Sequence, residues 1–205
     1  RCILFIDEAE KALSGMAASQ VSDSAGAEVS RTLGSLLSWL QDRDLSKMVW
    51  VIATVNNVLA LPPELTGKGR FDEFFWVDFP TEKERFDIFK IHLNKRNRLQ
   101  SVTEDEIHLL SSDENTLGFN GSEIENSIES ALFNAFYNNE DIGYDYLLEA
   151  VKAITPMSIV RREEIEVMRL WAKEHQVRSA SSDKSVDLNK ALDMGKSGSI
   201  RKTYI

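Results

Sequence analysis

Asp7 and Glu8 are adjacent carboxylates that come directly after an uninterrupted apolar run, Cys2-Ile3-Leu4-Phe5-Ile6. A short run of this kind reads as a buried parallel strand that emerges into a site. Successive side chains on a strand point to opposite sides. One carboxylate can then face a metal ion while the other faces a different atom of the same ligand. Many buried strands also end in acidic surface turns without any chemistry. Residues further along the chain decide between the two.

The elements that would position these carboxylates come in alternation. Leu13 to Ala27 is small, polar and without periodicity, which predicts a mobile loop. Val29, Leu33, Leu36, Leu37 and Leu40 recur at helical spacing and predict an amphipathic helix to about Arg43. Met48 to Thr54 reads as a second buried strand, and Phe74 to Phe79, closed by Pro80, as a third. Strands alternating with helices predict an α/β fold, a mostly parallel sheet with helices on its faces.

Helices take over from Thr81. Phe86, Phe89 and Leu93 mark one, and Val102 to Ser112 a second. A third spans Gly121 to Tyr137, with Ile124, Ile128, Leu132 and Phe136 expected on one face. Asn120 is its expected N-cap, and Glu123 completes a capping box. Tyr146 to Ile154 and Glu163 to Lys173 are the last two. The Ser-, Lys- and Gly-rich tail from Arg178 is expected to be disordered.

Composition narrows the function classes. The 205 residues carry 33 acids against 24 bases, a formal charge of -9, with no long basic run. A nucleic-acid or anionic-membrane surface therefore has no electrostatic support. Cys2 is the only cysteine, so no intrachain disulfide can form, and a reducing compartment is expected. No apolar stretch approaches a bilayer span. The chain opens on Arg1 with a catalytic-looking strand, and is expected to be the C-terminal part of something longer.

At Asn56 and at Gly69-Arg70-Phe71-Asp72 a specific order of motifs is complete. An apolar strand ends in Asp-Glu. Val-Ile-Ala-Thr-x-Asn, Leu-Pro-Pro-Glu-Leu and Gly-Arg-Phe-Asp come next, then a strand closing in Pro, then Gly-Phe-x-Gly-x-Glu. This order resembles the AAA family of ATPases from the Walker B strand onward. Asn57 to His92 looks most like the little-characterised AAA proteins of plastid genomes and cyanobacteria. Pro156-Met-Ser, Glu163-Glu164-Ile165-Glu166 and Trp171-Ala172 extend the resemblance to roughly residues 1–180.

The resemblance implies the C-terminal part of a P-loop NTPase parallel sheet with flanking helices, followed by an all-α lid subdomain. Residues 1–80 would finish the large α/β subdomain and 81–156 would form the lid. A helical extension would occupy 157–177 and a disordered tail 178–205. Asp7 would hold Mg²⁺, and Glu8 would orient and polarise the attacking water. Asn56 would be the polar sensor of that water or of the γ-phosphate. Asn57 is the alternative, and either could instead form an Asx turn at a strand end. Arg70 would be the arginine finger reaching a neighbouring subunit's γ-phosphate, a contribution of about 10³–10⁵ in rate. Surface pairing with Asp72 or Glu73 is its plainer role. The second arginine common three residues earlier is Gly67 here. His92 falls where the family places a residue near the adenine, although an isolated helical histidine is more often structural. Gly121 and Ser122 fall at the second sensor, where Gly-Ala is usual and where a helix N-terminus would itself attract phosphate.

No Gly-x-x-x-x-Gly-Lys-Ser/Thr loop occurs in the chain. Gly195-Lys196-Ser197 fails because Lys190 stands at the first glycine and no apolar strand precedes it. The phosphate-binding loop is expected upstream of Arg1, so the chain alone is expected to be inactive. The resemblance implies an ATP- and Mg²⁺-dependent hydrolase, working as a homo-oligomeric ring, a hexamer, that remodels a protein partner. Neither nucleic acid nor membrane is an expected partner, and the expected location is the cytoplasm or plastid stroma. A non-hydrolysing, nucleotide-dependent assembly scaffold is the alternative. A DNA-acting relative is disfavoured by the acidic balance.

Overall fold

The computed structural model describes residues 2–14, 34–36, 38–42, 49–67 and 70–181. Most of the expected loop after Leu13, the start of the helix expected from Val29, and the tail from residue 182 with its Gly195-Lys196-Ser197 stretch lie outside the described residues. So do Met48, Lys68 and Gly69. Two compact units divide the chain, Arg1–Phe75 and Trp76–Ile205.

In the first unit, β1 (Cys2–Ile6) pairs in parallel with β2 (Val49–Ala53), from Cys2 opposite Val49 to Ile6 opposite Ala53. Helix α1 (Ala9–Ser14) leaves the turn after β1, so Leu13 and Ser14 close a helix and do not open a loop. Residues 34–36 and 38–41 are helical, as their spacing predicts. A 3₁₀ turn at Val58–Ala60 and helix α2 (Pro63–Thr66) come after β2.

The strand period of two sorts the side chains by face. Ile6, Val51 and Ala53 pack with Leu36, Val55, Leu61 and Phe71 around buried Ala9, Leu40 and Leu65. Ile3, Phe5, Trp50 and Ile52 lie on the opposite face and are exposed. The fully buried strand expected at Cys2–Ile6 is thus covered on one face only. Parallel sheets are normally covered on both.

β3 is two residues long, Phe75–Trp76, shorter than the expected Phe74–Phe79, and it pairs with β4 (Arg178–Ser179) rather than with β1 and β2. The Phe79 amide donates to Asp78 Oδ1 at 2.8 Å, and Pro80 has no N–H, so neither continues a ladder. The tail expected to be disordered from Arg178 is therefore paired strand at its first two residues.

The second unit holds α3 (Glu82–Lys95), α4 (Glu104–Ser111), α5 (Asp113–Thr116), α6 (Gly121–Tyr137), α7 (Tyr144–Ala153), α8 (Met157–Val160) and α9 (Arg162–Glu174). Capping boxes start three of them, Thr81 with Glu84, Thr103 with Glu106 and Asn120 with Glu123. An N-cap of this kind is worth about 1 kcal/mol. Phe89 and Leu93 of α3, Ile107 and Leu110 of α4, and Leu147 and Val151 of α7 share one buried core with α6. The buried stripe of α6 is Ile124, Ile128, Ala131 and Ala135. Phe136, expected on that stripe, is 81% exposed, because it lies one residue and about 100° further round the helix.

Arg85 is fully buried in this unit, with its fork fully engaged. Nε and Nη2 donate to the Ser111 carbonyl, Nη1 to the Pro80 carbonyl at 2.9 Å, and Nη2 also to Asp113 Oδ1 at 2.6 Å. A buried guanidinium without such partners would be strongly destabilising. Among the described residues, no helix is long and apolar enough to cross a membrane.

Candidate functional site

The strand register brings Asp7 beside Thr54. Because Ile6 lies opposite Ala53, the next residues on each strand meet at the mouth of the sheet. Thr54 donates its amide to the Ile6 carbonyl, and its own carbonyl accepts from Ala9, both at 2.9 Å. Its hydroxyl donates to Asp7 Oδ1 at 2.5 Å and accepts from the Glu8 amide at 3.0 Å. One threonine thus fixes the carboxylate of Asp7 and the backbone of Glu8 together.

Glu8 has a left-handed backbone, φ 48°. For a residue with a Cβ this costs about 1–2 kcal/mol. The Thr54 hydroxyl and the bond from the Lys11 amide to the Glu8 carbonyl, 2.8 Å, hold the turn there. The turn sends the two carboxylates in different directions, which a regular strand would also have done. On the Glu8 side chain, Oε1 accepts from Asn56 Nδ2 at 3.0 Å and Oε2 meets Lys11 Nζ at 2.7 Å. The hydrogen bond to Glu8 and its charge hold the Lys11 ammonium above its ordinary range.

The two neighbouring asparagines differ in what they touch. Asn56 reaches Glu8, whereas Asn57 accepts from the Leu59 amide at 3.0 Å and caps the 3₁₀ turn. Arg70 donates through Nη1 to Gln41 Oε1 at 2.5 Å. Among the described residues it makes no ion pair with Asp72 or Glu73.

The remaining sequence candidates belong to the helical unit. His92, on α3, places Nδ1 3.2 Å from Glu125 Oε1 of α6, but outside hydrogen-bonding geometry. Arg96 takes the stronger share of that carboxylate at 2.9 Å and also binds Glu129. The hydrogen bond from Arg96 holds Glu125 below the usual carboxylate range. Gly121 opens α6, and a Cβ added there would meet nothing within 4 Å. Ser122 is exposed at the same helix start.

As a chemical set, Asp7, Glu8, Thr54 and Asn56 offer carboxylate oxygens backed by neutral donors. Among the described residues, no group of three or more His, Cys, Asp or Glu is gathered as a metal cage. A single exposed carboxylate is the donor set that suits Mg²⁺, which keeps most of its waters and binds phosphates besides.

Residues 1–79 match the family model described as the ATPase family associated with various cellular activities, AAA. The chain belongs to the AAA family. An uncharacterized AAA domain-containing protein of Guillardia theta, ycf46, is 38% identical over 180 residues, 88% of this chain and 34% of that protein. Its counterpart in Pyropia yezoensis is 37% identical over 180 residues, 88% of this chain and 35% of its own length. The proteasome-activating nucleotidase of Saccharolobus solfataricus is 33% identical over 168 residues, 82% of this chain and 40% of that protein. The chain spans about a third of the length of the ycf46 relatives.

Sequence reasoning passed over Thr54, Lys11 and Gln41 as site residues, and Glu125 and Arg96 as neighbours of His92. Thr54 had a signal: once the two apolar runs are paired, the residue after Ala53 must face Asp7. Gln41 had none, since its contact to Arg70 joins residues 29 apart in the chain.

Proposed function

We propose that this AAA chain supplies the hydrolytic half of an ATPase site, in a longer protein that works as a homo-oligomeric ring and remodels a protein partner. The observation that carries the reading is the Asp7–Glu8 turn, held by Thr54 and met by Asn56. Mg²⁺, when bound with ATP, would neutralise phosphate charge next to Asp7. In this reading Glu8 aligns a water and polarises it. Its carboxylate already accepts from two donors, and the exposed Lys11 contact is of the kind that contributes little. Asn56, attached to Glu8, is the polar sensor in this reading. Asn57 is occupied by its turn.

Arg70 is the proposed finger. Among the described residues its guanidinium is met by a neutral glutamine and by no carboxylate, which suits a group that stabilises phosphoryl charge across a subunit boundary. His92, Gly121 and Ser122 are proposed to lie on the nucleotide side of the lid. The room around Gly121 and the exposure of Ser122 support that reading. A protein substrate is supported by the nucleotidase named for activating the proteasome, and the ycf46 likeness favours a cytoplasmic or plastid setting.

The test is Glu8→Gln in the full-length protein. ATP binding should be retained and steady-state hydrolysis should fall by about 10² or more. Unchanged hydrolysis would remove Glu8 from the chemistry. In the same assay, Arg70→Ala subunits mixed with Glu8→Gln subunits should recover part of the turnover, since each variant damages a different component of a shared site.

A further inference from the structure

Two helix caps in the second unit have a contact beyond the cap itself. Glu84 closes the start of α3 by accepting the Thr81 amide on Oε2, at 2.9 Å, while its Oε1 accepts from Ser181 Oγ at 2.6 Å. Glu123 closes the start of α6 by accepting the Asn120 amide on Oε2, at 2.8 Å, while its Oε1 accepts the Met157 amide at 2.6 Å. A capping box needs only one carboxylate oxygen. In both, the second oxygen holds the C-terminal segment, once near its beginning and once at its described end.

Three further contacts lie along that segment. Arg169 of α9 grips Asp78 with both arms of its fork, Nε to Oδ2 at 3.0 Å and Nη2 to Oδ1 at 2.6 Å. Both side chains are largely removed from water, 15% and 8% exposed, and the guanidinium lies 6.0 Å from the centre of the Phe79 ring. The Ala180 amide donates to the Trp76 carbonyl at 2.8 Å. Gly118, ahead of α6, lies so close to α8 that an added Cβ would stand 2.3 Å from Ser158 Oγ.

We propose that residues 157–181 are a strap that fastens Trp76–Phe79, the entry to the helical unit, onto the body of that unit. The strand of the entry stretch is short, and Pro80 ends any further ladder. The near end of the strap is fixed on α6, and the far end reaches the entry stretch and the first turn of α3. A displacement of Trp76–Phe79 is then delivered to α3 and α6 together, not absorbed in a loose linker. The inference rests on these contacts alone and stands apart from the ATPase reading.

Backbone hydrogen exchange of the full-length protein, followed by mass spectrometry, tests it. Arg169→Ala removes the fork, and Ala180→Pro removes the amide that bonds to Trp76. Each should accelerate exchange across residues 76–79 by about tenfold or more, with the protection of α4 and α6 unchanged. Arg169→Lys, which keeps the charge and loses the fork, should fall between wild type and Arg169→Ala. Unchanged exchange at 76–79 in both disruptive variants would overturn the proposal. So would a uniform acceleration over all the helices, which would make the segment a general stabiliser and not a strap on the entry.

Discussion

Thr54 is the residue on which the arrangement of the candidate site turns. Its hydroxyl donates to one carboxylate and accepts from the backbone of the next, so it sets the angle between Asp7 and Glu8. A hydrogen bond to a charged group is worth about 1.5–3 kcal/mol. Thr54→Val keeps the shape and removes both bonds. Its turnover in the full-length protein is expected to fall about ten- to a hundredfold, with ATP binding affected less. Steady-state and equilibrium binding assays on the same preparation separate the two effects. The carboxylates themselves were legible in the sequence because an apolar strand stopping in two acids is a local pattern. The threonine became legible only with the register, since its partners lie 46 and 47 residues away. Gln41 had no local pattern of any kind.

Among the elements, the start of α6 shows how one glycine admits a neighbouring helix. Gly118 has φ +75°, a conformation that side chains rarely adopt, and Ser158 of α8 occupies the space where its Cβ would be. Gly118→Ala carries both penalties, backbone strain and a contact that the Ser158 side chain must give way to. A loss of about 1–3 kcal/mol in urea unfolding is expected. The double variant with Ser158→Ala should recover part of it, because only the steric share is relieved. Helix starts in this unit were readable from sequence, since Asn120 and Glu123 form a capping box at fixed spacing. Their second contacts were not, because Met157 and Ser181 are distant in the chain and carry no signature. Phe136 shows the limit of periodicity in a helix with apolar residues at adjacent positions. Leu132, Phe133, Ala135 and Phe136 allow more than one stripe, and packing against α7 selects the one through Ala135.

At the scale of the whole molecule, the helical unit carries a set of carboxylates tuned below their ordinary range. Glu104 is lowered by its hydrogen bond from Lys90, Glu106 by the Thr103 amide, and Glu125 by Arg96. A depressed folded-state pKa contributes stability above the unfolded value, about 4.3, and loses it as pH falls through the folded value. The urea midpoint of this unit should therefore be flat from neutral pH to about 5 and decline below that. Glu125→Gln should make the decline shallower, and an unchanged acid limb in that variant would remove Glu125 from the effect. The class of fold was legible because strands and helices differ in period. The pairing of β3 with β4 was not, because two-residue strands leave no period to read.

The first unit has an optical consequence. Trp50 is 67% exposed on the sheet face that also carries Ile3, Phe5 and Ile52. An indole in that position emits as if in water, and anything that covers the face moves it into an apolar setting. The tryptophan is therefore a built-in fluorescent reporter. In a variant that keeps Trp50 and replaces Trp39, Trp76 and Trp171 with Phe, a blue shift of the emission would mark any polypeptide that covers this face.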